Sequence, residues 1–168
     1  MTEETEAEPS PEPLPAARLA EPIVLVETAE DWASALESLV NGEGPLAVDA
    51  ERASGFRYSQ RAYLVQLYRR GSPNYLVDPI AVGDLSGLSE QLGHEEWILH
   101  AAHQDLPCLR EVGIEPAVIF DTELAGRLAG LPRVGLQGAV EDLMGMTLAK
   151  EHSAADWSTR PIPDSWLT

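Results

Sequence analysis

The sequence predicts an α/β domain: a mixed central sheet with helices on its faces. Two observations carry this. Three apolar runs lie close together between residues 45 and 78, as neighbouring strands do. From residue 85 onward, short apolar runs alternate with stretches of helical periodicity. With 168 residues, 44% of them hydrophobic, the chain is long enough for one domain with a real core.

The elements follow in order. Residues 1–22 hold five prolines and six glutamates against a single arginine, Arg18. Prolines at alternating positions and repelling charge oppose packing, so a disordered acidic tail is expected there, with the domain over 23–168. Ile23-Val24-Leu25-Val26 reads as a short strand. Thr28, with Asp31 three residues on, reads as a helix N-cap. Trp32, Leu36 and Leu39 repeat at helical spacing until Asn41-Gly42 ends the helix. Pro45–Glu51 is an apolar run that reads as a buried strand, and Ala62–Tyr68 as another. Gly71-Ser72-Pro73 makes a hairpin turn into a strand over Asn74–Asp78. Then come a helix over about 85–92, a strand at Trp97-Ile98-Leu99, and a helix over about 104–112 ended by Gly113. A strand over 117–120 precedes helices near 122–129 and 135–144.

Composition excludes several classes. The net charge of −17 opposes capture of nucleic acid by the surface as a whole, so a polyanion ligand needs local cations or bound metal. One cysteine, Cys108, excludes a disulfide framework and any multi-cysteine zinc site. No apolar run approaches the roughly 18 residues of a membrane span, and the N-terminus is acidic where a secretory signal is basic. No membrane contact is expected, and the expected location is cytoplasmic. Neither nucleotide-loop fingerprint occurs among the glycines, and the four histidines lack zincin spacing.

The chemistry points to carboxylates. Asp49 and Glu51 end the run Leu46-Ala47-Val48, and side chains two apart on a strand share a face. Two like charges at the rim of an apolar core cost desolvation and repulsion, and a hard divalent cation such as Mg²⁺ or Mn²⁺ removes both. Asp105 follows the strand at 97–99 and precedes Pro107, which suits a first helical turn. The partial positive charge of that helix end is expected to keep Asp105 ionised. Arg52, Arg57, Arg61, Arg69 and Arg70 follow the acid pair directly and offer local positive charge for phosphate. Among them Arg57 is taken as the substrate contact.

Four segments carry a family resemblance. Val48-Asp49-Ala50-Glu51 resembles the first motif of the DEDD 3′–5′ exonucleases. His100-Ala-Ala-His-Gln-Asp105-Leu106 resembles their second motif in its ribonuclease D form, and Phe120–Ala125 their strand-to-helix junction. Lys150–Pro163 is similar to the loop leading to the third motif. The resemblance implies a ribonuclease H-like fold and hydrolysis of RNA 3′ ends, single-stranded ones first, to nucleoside monophosphates. It implies two metal ions, Mg²⁺ or Mn²⁺. Asp49 would bridge both, Glu51 would bind one together with the attacking water, and Asp105 would bind the other. His100, which matches the family motif, is taken as a second substrate contact by hydrogen bonding.

Such enzymes complete the site with a Tyr and, four residues later, an Asp. Pro163–Thr168 resembles the start of the helix that would carry them. The 168 residues are therefore expected to hold three of the four acids, to lack the last helix, and to be weak or inactive alone. The competing reading is a non-catalytic nucleic-acid or protein-binding module on the same fold. A DNA-trimming exonuclease is a third.

Overall fold

The computed structural model describes residues 12–53, 61–148 and 155–166. Six strands form one mixed sheet: β1 (Ile23–Val26), β2 (Glu43–Arg52), β3 (Ala62–Arg70), β4 (Asn74–Val77), β5 (Glu96–Leu99) and β6 (Val118–Asp121). Their spatial order is β1-β4-β3-β2-β5-β6. Strand β3 runs antiparallel to β2 and β4, and the β1–β4, β2–β5 and β5–β6 pairs are parallel. The helices are α1 (Ala29–Val40), α2 (Pro79–Val82), α3 (Ser86–Leu92), α4 (Leu106–Glu111), α5 (Thr122–Leu128) and α6 (Leu136–Met144). A single 3-10 turn covers Asp164–Trp166.

Local chemistry accounts for most boundaries. Thr28 caps α1 by accepting from the Asp31 N–H, as its spacing predicts. At the other end of α1, Arg69 reaches over from β3. Its guanidinium donates to Leu39 O at 3.1 Å and to Gly44 O at 2.8 Å, which satisfies a helix-end carbonyl with a buried cation. The β3–β4 turn is held by Ser72, whose Oγ donates to Arg69 O and accepts from Arg69 N. Gly71 takes φ +91° there, a conformation that favours glycine. Helix α2 is one turn long, too short for any periodicity to reveal. It forms because Asp78 accepts from Ile80 N and Ala81 N, and because Pro79 suits the first turn.

One face of the sheet is the main core. Leu46, Val48 and Ala50 of β2, Val65 and Leu67 of β3, and Trp97 and Leu99 of β5 are buried with residues of α1, α3 and α4. A smaller cluster of Leu64, Leu76, Trp157 and Ile162 lies apart from it. It is pinned by Arg160, which pairs with the buried Asp78 (Nε to Oδ2, 2.6 Å) and donates to Tyr63 O at 2.8 Å. Of the acidic, proline-rich segment, Pro15 O accepts from Thr147 N, and Ala17 N donates to Thr147 O at 2.8 Å. No helix among the described residues is long and apolar enough to cross a membrane.

Candidate functional site

Strand β2 supplies the first two acids. Its odd-numbered residues 47, 49 and 51 face away from the main core while 46, 48 and 50 are buried in it, the strict alternation of a strand. In register, Asp49 stands opposite Gln66 and Glu51 opposite Leu64 of β3. Gln66 Nε2 donates to Asp49 Oδ2 at 3.1 Å. Sequence reasoning passes over Gln66. Its signal is a lone amide in an otherwise apolar strand, legible only once the register is known.

Asp105 occupies the N-cap position of α4, yet its side chain makes no capping hydrogen bond. An ordinary capping role is thereby excluded. The residue is 7% exposed. The chain reaches it through a tight turn in which Ala101 takes φ +56°. Asp121, at the end of β6, holds that turn. Its carboxylate accepts from Ala101 N (3.1 Å) and Ala102 N (2.9 Å) as well as from Glu123 N and Leu124 N at the start of α5. Burial works against that charge, but the four N–H groups pull the Asp121 carboxyl below its usual range. The helix expected from about 104 starts at Leu106 because residues 100–105 form this turn. Sequence reasoning took Asp121 only as part of a junction.

The acids perturb one another. Burial, then the neighbouring charges of Asp49 and Asp105, push Glu51 up to about 7. Burial, then Asp49, push Asp105 to about 7 as well, so the expected ionising effect of the helix end does not prevail. Asp49 is raised too, by burial, against a hydrogen bond from Ala50. Of the three acids Asp49 is exposed, Glu51 half-buried and Asp105 buried.

The three carboxylates thus share one electrostatic field. They do not close on a point: among the described residues, no group of three or more His, Cys, Asp or Glu side chains is arranged to hold a metal ion. The three are electrostatic neighbours and not a finished ligand set. Three like charges repel, and Gln66 holds Asp49 back on its strand. The donor chemistry nevertheless fits a hard divalent cation, since oxygen ligands with unbalanced negative charge are what Mg²⁺ and Mn²⁺ favour.

The four described arginines of this stretch take different directions, as strand alternation requires. Arg52 lies near the acids, where its charge offsets the rise at Glu51 and Asp105. Arg69 is turned inward onto α1, and Arg61 and Arg70 are exposed. Arg57, the expected substrate contact, lies outside the described residues. Arg160 is engaged by Asp78, Tyr63, Trp157 and Thr159, as an anchor of its loop.

His100 is half-buried, with Nδ1 at 2.9 Å from Thr122 Oγ1. It lines a groove of about 620 Å³ together with Asp49, Glu51, Gln66, Thr122 and Trp157. Cys108 is buried, its Sγ donates to Asp105 O, and burial pushes its thiol to about 11, which suits a core residue and not a nucleophile.

Residues 23–168 match a family model described as a 3′–5′ exonuclease. The ribonuclease D of Gluconacetobacter diazotrophicus is 35% identical over 149 residues, covering 86% of this chain and 37% of that protein. A solved protein from Bifidobacterium adolescentis superposes with a TM-score of 0.80 at 43% identity, covering 87% of this chain and 38% of that one. The Escherichia coli RNase D structure, described as an exoribonuclease involved in structured RNA processing, gives a TM-score of 0.70 at 28% identity, covering 85% of this chain and 39% of that one. The chain therefore spans little more than a third of the length of these three relatives.

Proposed function

Because this chain belongs to the ribonuclease D-like DEDD 3′–5′ exonucleases and has their ribonuclease H-like α/β fold, we propose that it carries the acidic half of a metal-dependent 3′–5′ exoribonuclease site. The substrate in this reading is a single-stranded RNA 3′ end, hydrolysed to nucleoside monophosphates. The observation that supports it best is the shared field of Asp49, Glu51 and Asp105, whose carboxyls, two of them pushed to about 7, sit together, with Asp105 making no capping hydrogen bond.

Asp49, Glu51 and Asp105 would hold Mg²⁺ or Mn²⁺. When bound, such ions lower the pKa of water and offset charge on the leaving oxygen. The chain's own residues do the rest. Gln66 orients Asp49, the Asp121 clamp fixes the turn that presents Asp105, and the groove beside them accepts the chain end. His100 and Arg57 are the proposed substrate contacts.

The test is mononucleotide release from 5′-labelled single-stranded RNA with Mn²⁺, with DNA alongside. Release that Asp49→Asn abolishes is expected, with RNA preferred. Release no faster than that of Asp49→Asn favours a binding module on the same fold. That second reading draws on the absence, among the described residues, of a closed ligand group.

A further inference from the structure

Among the described residues the ring of His100 has one hydrogen-bond partner, and that partner determines which nitrogen carries the proton. Thr122 Oγ1 lies 2.9 Å from His100 Nδ1 and 3.2 Å from Leu99 O. A hydroxyl has a single proton to give, and a carbonyl oxygen can only accept. If Thr122 donates to the ring, its oxygen and that of Leu99 face each other as unshared lone pairs. If Thr122 donates to Leu99 O, its lone pair receives a proton from Nδ1–H and both contacts are hydrogen bonds. Only the second arrangement satisfies all three groups.

The consequence is chemical. In the Nδ1–H tautomer, Nε2 is an acceptor. Among the described residues it has no partner, and His100 lines the groove with Asp49 and Glu51. An acceptor there matches a hydroxyl donor and opposes a phosphate oxygen, which is itself an acceptor.

Resting on the exonuclease reading, we propose that Thr122 is a positioning residue: it locks His100 as the Nδ1–H tautomer, so that Nε2 accepts from a ribose hydroxyl at the RNA 3′ terminus. Thr122 is well placed for this. It is the first residue of α5, immediately after Asp121, whose carboxylate grips the backbone of Ala101 and Ala102 next to His100. One strand-to-helix junction thus sets both the path of the turn and the polarity of the imidazole.

The direct readout is long-range ¹⁵N–¹H NMR of the imidazole nitrogens in the metal-free 168-residue protein, with His100 assigned by loss of its signals in His100→Gln. The wild type and Thr122→Ser are expected to show Nδ1–H, and Thr122→Val a population shifted toward Nε2–H. A wild-type Nε2–H ring, or a Thr122→Val ring unchanged from wild type, overturns the proposal whatever the activity of the site. Should Thr122→Val not fold, the wild-type tautomer alone decides.

A second arm measures binding of fluorescein-labelled oligoribonucleotides by anisotropy in Ca²⁺. The ends compared are the 2′,3′-diol, 2′-deoxy, 3′-deoxy and 3′-phosphate. Removing the hydroxyl that donates should weaken binding about fivefold, the worth of one net hydrogen bond, and the loss should vanish in Thr122→Val. The deoxy end that weakens identifies which hydroxyl is read. Equal binding by all four ends overturns the acceptor role. Binding by none overturns it as well and, unlike the other outcomes, also counts against the exonuclease reading.

Discussion

Replacing Asp121 with alanine removes the acceptor of four backbone N–H groups at once. Two of them, Glu123 N and Leu124 N, begin α5, and losing a cap of this kind costs about 1 kcal/mol. The other two, Ala101 N and Ala102 N, lie in a turn whose residues are buried, and each orphaned donor costs at least about 1 kcal/mol. The expected total is about 3 kcal/mol, a loss of about 6–12 °C in melting temperature for a domain of this size. Asp121→Asn provides a graded control. Oδ1 accepts three of the four bonds and Oδ2 only that of Ala102, so an asparagine that keeps its oxygen at Oδ1 loses one bond and the charge. Its expected cost is about 1 kcal/mol. The assay is urea denaturation at pH 7 in EDTA, followed by tryptophan fluorescence. An alanine variant within about 0.5 kcal/mol of wild type, or one equal to the asparagine variant, refutes the clamp.

Further expectations concern other parts of the molecule. Arg160→Ala strands the Asp78 carboxylate, which is 1% exposed, and should destabilise by about 3 kcal/mol; a double-mutant cycle with Asp78→Asn should recover much of that, and independent effects would refute the pairing. Burial, aided by neighbouring acids, raises Glu51 and Asp105 from 4.5 and 3.8 to about 7, so the folded protein holds more protons than the unfolded chain between those values. Stability should therefore fall as pH rises from about 4.5 to 7, and less steeply in Asp105→Asn; urea titrations at four pH values in EDTA check this, and equal slopes in the two proteins refute it. Cys108 should resist a thiol reagent at pH 8 until the protein unfolds, since it is buried with its thiol pushed to about 11; fast native labelling would contradict that.

The strands were legible in the sequence as short apolar runs patterned with a period of two. Ile23–Val26 and the sheet partners at 62–70, 74–77 and 96–99 all fall where those runs lie. The pair Asp49 and Glu51 was legible for the same reason: a period of two places both on the face opposite Val48. What the residues alone do not disclose depends on contacts between distant segments. Gln66 acquires its place from the β2–β3 register, Asp121 from a turn twenty residues away, and Arg69 from a helix end thirty residues earlier. Of the five arginines, the four described ones divide as strand alternation requires, and the end of α1 claims Arg69. Helices α5 and α6 have the expected positions but leave Leu124, Leu128, Leu143 and Met144 exposed, and α5 packs against β6, the edge strand of the sheet.

The claim on which the rest depends is that Asp49, Glu51 and Asp105 bind divalent cations together. Isothermal titration of Mn²⁺ into the metal-free chain at pH 7.5 tests it most directly, with Asp49→Asn, Glu51→Gln and Asp105→Asn in parallel. Saturable binding is expected, weakened at least tenfold by each single substitution and accompanied by release of protons. No saturable heat, or binding that survives all three substitutions, would contradict it.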